Sequence, residues 1–153
     1  MDNFNQTIWD RRFLELAKEV STWSKDPSTQ VGAVVVKERL VVGTGYNGFP
    51  RGVHDLPSRY LDRETKYKLV VHAEVNAILL AGKEAMGATL YVYPSFSLPP
   101  VCNECCKVLI QAGIKEIIGY APDPNDERTK RWEQSIAVSR MMCEEAGVKY
   151  RTI

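Results

Sequence analysis

The sequence predicts a three-layer α/β/α sandwich around a mixed five-stranded sheet, and three observations carry that prediction. Short runs rich in β-branched residues recur at about 31–36, 40–46, 88–93, 115–120 and 148–152. The first two are separated only by Lys37-Glu38-Arg39, which suits an antiparallel hairpin. Helical patterns separate the later ones, so right-handed crossovers should make strands three, four and five parallel.

The elements follow in order. A first helix is expected over about 8–24, with Thr7 as its cap and Asp10 in support. Trp9, Phe13, Leu16, Ala17, Val20 and Trp23 fall on one stripe that should face a core. Pro27 then forces the chain out of helical geometry. After the hairpin, Asn47-Gly48-Phe49-Pro50-Arg51-Gly52 is dense in turn formers. The stretch 47–67 is expected to be a long loop, with a helical turn near 59–64. The run Val70 to Leu80 opens on a polar pair, His72 and Glu74, and continues as an apolar helix. Gly82 and Gly87 end that element before the third strand. A helix beginning at Cys102 closes at Gly113, a left-handed cap. The last helix, about 125–146, should carry Trp132, Ile136, Met142, Cys143 and Ala146 inward and stop at Gly147.

Composition bounds the answer. At 153 residues, 44% apolar and 25% charged, the chain reads as one soluble domain, 1–153. Twenty basic and nineteen acidic side chains give a formal charge of +1, too little to hold a nucleic-acid backbone on charge alone. The start Met1-Asp2-Asn3-Phe4-Asn5-Gln6 lacks a signal-peptide layout, and no apolar run is long enough to span a bilayer. Four cysteines suit the reducing cytosol, so a cytoplasmic protein is expected.

The chemistry-bearing residues sit at two helix starts. A group placed off a helix end is reachable from several first-turn positions, and the unpaired N–H groups there favour an anion. His72 and Glu74 meet that condition. Cys102 and Cys105 stand three apart, on one face of the following helix. Helix starts also favour thiolates. One imidazole and two thiolates make three ligands, leaving a tetrahedral zinc its fourth position for water. A lone C-x2-C also suits a redox pair or two buried thiols, and a Cys102/Cys106 pairing is sterically open. The order His-x-Glu followed by Cys-x-x-Cys resembles the His-x-Glu…Pro-Cys-x-x-Cys signature of zinc-dependent nucleobase deaminases, which favours zinc catalysis, with Glu74 as proton shuttle. The helices after strands two and three should start at one edge of the sheet, which lets residues 72 and 102 meet.

On further motifs the chain resembles the deoxycytidylate (dCMP) deaminase family. These are Ser24-Lys25-Asp26-Pro27-Ser28-Thr29-Gln30-Val31-Gly32-Ala33, Gly45-Tyr46-Asn47-Gly48-Phe49-Pro50, Lys66-Tyr67, Val71 to Ile78, and Cys102-Asn103-Glu104-Cys105 with Ile110 to Lys115. The resemblance implies hydrolytic deamination of dCMP to dUMP and ammonia. It implies His72, Cys102 and Cys105 as zinc ligands, and Asn47, Ser24, Lys25 and Ala73 at the substrate, with Asn47 on the sugar hydroxyl and Ser24 and Lys25 near the 5′-phosphate. It also implies regulation by dCTP and dTTP around Gly45, Tyr46, Asn47 and Gly48, Mg2+ accompanying the effector, and a homo-hexamer. One departure stands out. The family places proline directly before the first zinc cysteine, whereas Val101 intervenes here after a longer stretch, Tyr93 to Pro100. That stretch should border the pocket. His54, the one spare histidine, is expected at the surface.

Other readings stay open on the residues alone. The chain could deaminate another cytosine or adenine compound, including tRNA adenosine, or be a zinc-folded nucleotide sensor without catalysis. A thiol redox protein would show Cys102–Cys105 oxidation and no metal.

Overall fold

The computed structural model describes residues 3–153. Its elements are α1 (Asn3–Ser21), β1 (Gly32–Lys37), β2 (Leu40–Tyr46), α2 (Pro57–Leu61), α3 (Arg63–Leu69), α4 (Ala73–Ala81), β3 (Thr89–Tyr93), α5 (Asn103–Ala112), β4 (Glu116–Gly119), α6 (Glu127–Arg131), α7 (Glu133–Ala146) and β5 (Lys149–Thr152). A short 3-10 turn follows α4 at Gly82–Ala85.

One mixed sheet runs in the order β2-β1-β3-β4-β5. β1 is antiparallel to both its neighbours, while β3, β4 and β5 are mutually parallel, as the alternation of helix and strand predicts. Because β1 opposes both β2 and β3, those two strands point the same way. The chain therefore leaves each of them at the same edge, and α4 and α5 begin there.

Alternate strand residues supply two cores. Ala33, Val35, Leu90, Val92 and Ile117 pack with α4, α5 and α7 on one face. Val34, Val36, Tyr91 and Ile118 pack with Phe13, Leu14 and Ala17 of α1 on the other. Burial on both faces explains why β1 reads as an unbroken apolar run rather than an alternating one. In β2 the glycines have a definite purpose. A Cβ at Gly45 would overlap Ala73 O and Ala77 N of α4, so this helix lies directly on the strand backbone.

Several boundaries differ from the sequence expectation. α1 is already formed at Asn3, and the Thr7 hydroxyl donates to Asn3 O at 2.9 Å, so Thr7 is a helix-interior residue rather than a cap. The helix stops at Ser21, which leaves Trp23 beyond its end, 53% exposed and edge-on to Tyr46. Asp10 is wholly buried. Tyr91 donates to it at 2.7 Å and Gln6 at 2.9 Å, and Arg151 forms an ion pair with it at 2.7 Å. This cluster fastens α1 to β3 and β5 on one face of the sheet. The expected 47–67 loop contains α2, started by Pro57, and α3. The last helix is broken at Trp132 into α6 and α7, with Ala146 exposed rather than inward.

Candidate active site

Two helix starts meet at the sheet edge. Gly48 and Val71 form an isolated antiparallel bridge, Gly48 N to Val71 O at 3.1 Å and Val71 N to Gly48 O at 2.8 Å. This holds the chain extended up to His72, the residue before α4, whose carbonyl accepts the helix bond from Asn76 N. The His72 side chain caps nothing, so its ring is free to face outward along the axis. Glu74 follows in the first turn and is buried.

Cys102 is the corresponding residue of α5. Its carbonyl accepts from Cys106 N at 2.8 Å and its sulfur accepts from Cys105 N at 3.5 Å. The preceding strand-to-helix connection is tied to α7: Ser139 donates to Val101 O at 2.9 Å, and Ser135 exchanges bonds with Asn103 N (2.9 Å) and Oδ1 (2.8 Å).

The imidazole and the two sulfurs converge. His72 Nδ1 lies 3.1 Å from Cys105 Sγ and 3.6 Å from Cys102 Sγ, and the three donor atoms fall within 4.8 Å of one another. A tetrahedral ion at ~2.3 Å from sulfur and ~2.0 Å from nitrogen sets its nitrogen and sulfur ligands roughly 3.5 Å apart, so the cluster has the spacing of a zinc site. The donor set, two thiols and an imidazole with a carboxylate beside them, also fits that ion. Glu74 Oε2 stands 3.4 Å from Cys105 Sγ, beside the cluster.

Proton positions in the cluster follow from its geometry. The Cys102 contact, ahead of Glu74's charge, raises the His72 imidazolium to about 9 against the opposing effect of burial. Cys102 is lowered, chiefly by its hydrogen bond with Cys105 and then by His72. Cys105 is raised by the same pairing, then by burial and by Glu74. Burial raises the Glu74 carboxyl above the ordinary carboxylate range.

The cluster opens into a cleft whose walls include Asp26, Thr29, Asn47, Arg63, Lys66, Tyr67, Ala73, Phe96, Arg128, Arg131 and Trp132. Of the residues picked out from the sequence, His72, Glu74, Cys102, Asn47 and Ala73 line it. Asn47 is also a scaffold: Oδ1 accepts from Val31 N at 2.8 Å and Nδ2 donates to Thr29 O at 2.9 Å. Ser24 is buried behind it, donating to Asn47 O at 2.8 Å, and is not among the cleft-lining residues. Neither is Lys25, whose ammonium pairs with Asp55 at 2.8 Å. Gly45 abuts α4, Tyr46 is exposed beside Trp23, and Gly48 bridges to Val71. His54 is exposed. The stretch after β3 does border the cleft, through Pro94, Phe96, Ser97, Pro100 and Val101.

Sequence reasoning missed the cationic wall. Arg63, Lys66, Arg128 and Arg131 all line the cleft, against two lining carboxylates, Asp26 and Glu74. The i,i+3 spacing of Arg128 and Arg131 was visible in the sequence, but Trp132 beside them reads as a core residue.

Residues 7–121 match the family described as the cytidine and deoxycytidylate deaminase zinc-binding region. The chain belongs to that family. Among relatives of this deaminase chain, an uncharacterised deaminase of Aliivibrio fischeri is 41% identical over 143 residues, covering 92% of this chain and 90% of that protein. The deoxycytidylate deaminase of Mus musculus is 40% identical over 150 residues, covering 94% and 78%. In fold, the deaminase chain is similar to the dCMP deaminase of cyanophage S-TIM5 solved with dCMP and dUMP, with a TM-score of 0.70 at 24% identity over 100% and 99% of the two chains. Zinc is thus the metal to which the family and the donor set both point.

Proposed function

We propose that this chain is a single catalytic domain that hydrolyses dCMP to dUMP and ammonia. The observation that carries the reading is the His72–Cys102–Cys105 cluster with the buried Glu74 carboxylate beside it, at the floor of a cation-lined cleft. Its similarity to deoxycytidylate deaminases supports the substrate. Four lining cations favour a phosphorylated nucleoside over a free one, and near-zero net charge disfavours a tRNA.

His72, Cys102 and Cys105 would hold zinc. When bound, zinc acidifies water enough to supply a nucleophile near neutral pH. Glu74 performs the proton work. It takes the proton released as the C4–O bond forms, delivers it to N3 of the ring, and provides a path for a proton to the amino group as the C4–N bond breaks and ammonia leaves. Burial suits Glu74 to both roles, because a raised carboxyl holds a proton more readily than a solvated one. Ala73, wholly buried beneath the cleft, keeps the helix start close to the substrate.

The same reading extends to control by dCTP and dTTP, with Mg2+ accompanying the triphosphate, to a hexameric assembly, and to the cytosol as its compartment. Family resemblance supports the first three. Sedimentation, and activity with each triphosphate, test them. No helix among the described residues is long and apolar enough to cross a membrane.

Ammonia release from dCMP, CMP, deoxycytidine, adenine nucleotides and a tRNA stem-loop tests the reaction. dCMP should be the preferred substrate, and Glu74→Gln should retain zinc and lose turnover by at least about a hundredfold. Full turnover by that variant would refute the assigned chemistry.

A further inference from the structure

We infer that Arg128 and Arg131 of α6 receive the 5′-phosphate of the substrate, with Asp126 positioning Arg128; this rests on the nucleotide reading above. Phosphate recognition thus moves from the Ser24–Lys25 turn to the opposite end of the chain.

The cations near the cleft are not equally placed to meet a phosphate. Lys25 is outside the cleft and paired with Asp55. Lys66 lines the cleft, but its ammonium is held 3.2 Å from the buried Asp26 carboxylate, which neutralises it. Arg63 also lines the cleft, on α3, with its guanidinium carbon 5.6 Å from the centre of the Tyr67 ring. Arg128 and Arg131 stand three apart on α6 and both line the cleft; Arg128 is paired with Asp126 at 2.8 Å, while Arg131 forms no ion pair among the described residues. Two guanidiniums against one carboxylate leave a net positive charge for a phosphate dianion.

Arg128 is also set in place. Its Nε donates to Asp126 Oδ1 at 3.0 Å and its Nη2 to Oδ2 at 2.8 Å. Nη1 reaches Thr29 Oγ1 at 3.3 Å, and the guanidinium carbon lies 4.4 Å over the Phe96 ring. A guanidinium has five N–H donors, so these contacts leave donors on both terminal nitrogens. An arginine fixed before its ligand arrives loses little rotamer freedom on binding, and its planar fork matches phosphate oxygens.

The position along the helices agrees. Ser135 is bonded to Asn103, the residue after Cys102, and so marks the metal end of the cleft. Arg128 lies seven positions earlier, beyond the break at Trp132 (φ −95, ψ 6), and so away from that end. Phe96, from the lengthened stretch before Cys102, completes this wall, so the departure from the family pattern falls at the phosphate end.

The test compares zinc-loaded wild type with Arg128→Gln, Arg131→Gln, the double variant, Asp126→Asn and Lys25→Gln. Binding of dCMP and of deoxycytidine is measured by calorimetry, and turnover of each by ammonia release. The expected result is that the double variant loses at least tenfold of the dCMP-over-deoxycytidine preference in binding. Asp126→Asn should raise the KM for dCMP several-fold more than it lowers kcat. Circular dichroism and zinc content check folding; if the double variant does not fold, Arg131→Gln, at an exposed position, carries the test alone. A folded variant that keeps the full preference, or loss of preference in Lys25→Gln instead, overturns the inference. So does wild type binding dCMP no tighter than deoxycytidine. Wild type that binds dCMP through these arginines without releasing ammonia refutes the proposed reaction and leaves this inference standing.

Discussion

Cys106 Sγ lies 3.5 Å from Cys143 Sγ and 3.6 Å from Ser139 O, facing α7 and not the His72 cluster. Neighbouring residues on a helix project about 100° apart, and here Cys105 Sγ faces His72 Nδ1 at 3.1 Å while Cys106 Sγ faces α7. The Cys102/Cys106 alternative left open by spacing is therefore disfavoured by packing. Cys106→Ala should keep one zinc per chain and cost on the order of 1 kcal/mol of stability from the small void it leaves. Cys105→Ser should lose zinc. Metal analysis with thermal denaturation separates the two outcomes.

Zinc uptake should release protons. In the metal-free protein His72 is raised to about 9 and Cys105 is also raised, so both are protonated at neutral pH, while the lowered Cys102 is already a thiolate. Ligation needs neutral imidazole and thiolate, so the metal must displace the protons on His72 and Cys105. Zinc affinity therefore rises with pH until those groups deprotonate unaided, on the His72 side near pH 9. Calorimetric titration in buffers of different ionisation enthalpy counts the protons. Uptake with no proton release would contradict this assignment.

Asn47→Ala should destabilise the fold as well as alter the cleft. Its amide satisfies Val31 N and Thr29 O, and the substitution strands both groups near the base of β1. The expected cost is about 2–3 kcal/mol. For a chain of this size that lowers the melting temperature by about 4–12 °C. A variant of unchanged melting temperature with a raised KM would assign Asn47 to substrate alone.

Gly45→Ala should disturb zinc binding from a distance. The added carbon would overlap Ala73 O and Ala77 N and sit 2.8 Å from Asn76 Cβ. The first two are backbone atoms of α4, so the helix must move, and His72 and Glu74 move with it. Overpacking of this kind costs ~1–3 kcal/mol. Lower zinc occupancy with a lower melting temperature is the expected pair of results; wild-type occupancy would show that α4 and the site are not coupled.

Much of this was readable in the residues. The five strands, the β1–β2 hairpin, the parallel run of β3 to β5 and the meeting of residues 72, 102 and 105 follow from patterning and from the two helix starts, whereas the antiparallel seating of β1 against β3 does not. α2 and α6, at five residues each, and α3, at seven, were not readable as such. Helices that short are marginal on their own and exist through tertiary contacts, so they leave little periodic signal. The cationic wall was hidden for the same reason: Arg63 and Lys66 lie on α3, and Arg128 and Arg131 on α6, 60-odd residues further on, and only the fold brings them together. Trp23 misled because the stripe continued past the true end of α1.

The order of strands has a practical consequence. Bond-making groups are mounted on two helix starts seated against the sheet, whereas the walls that would choose a ligand come from connecting segments and short helices. A designer can thus vary residues 95–98 or α6 to change which ligand the cleft takes while leaving the two helix starts in place.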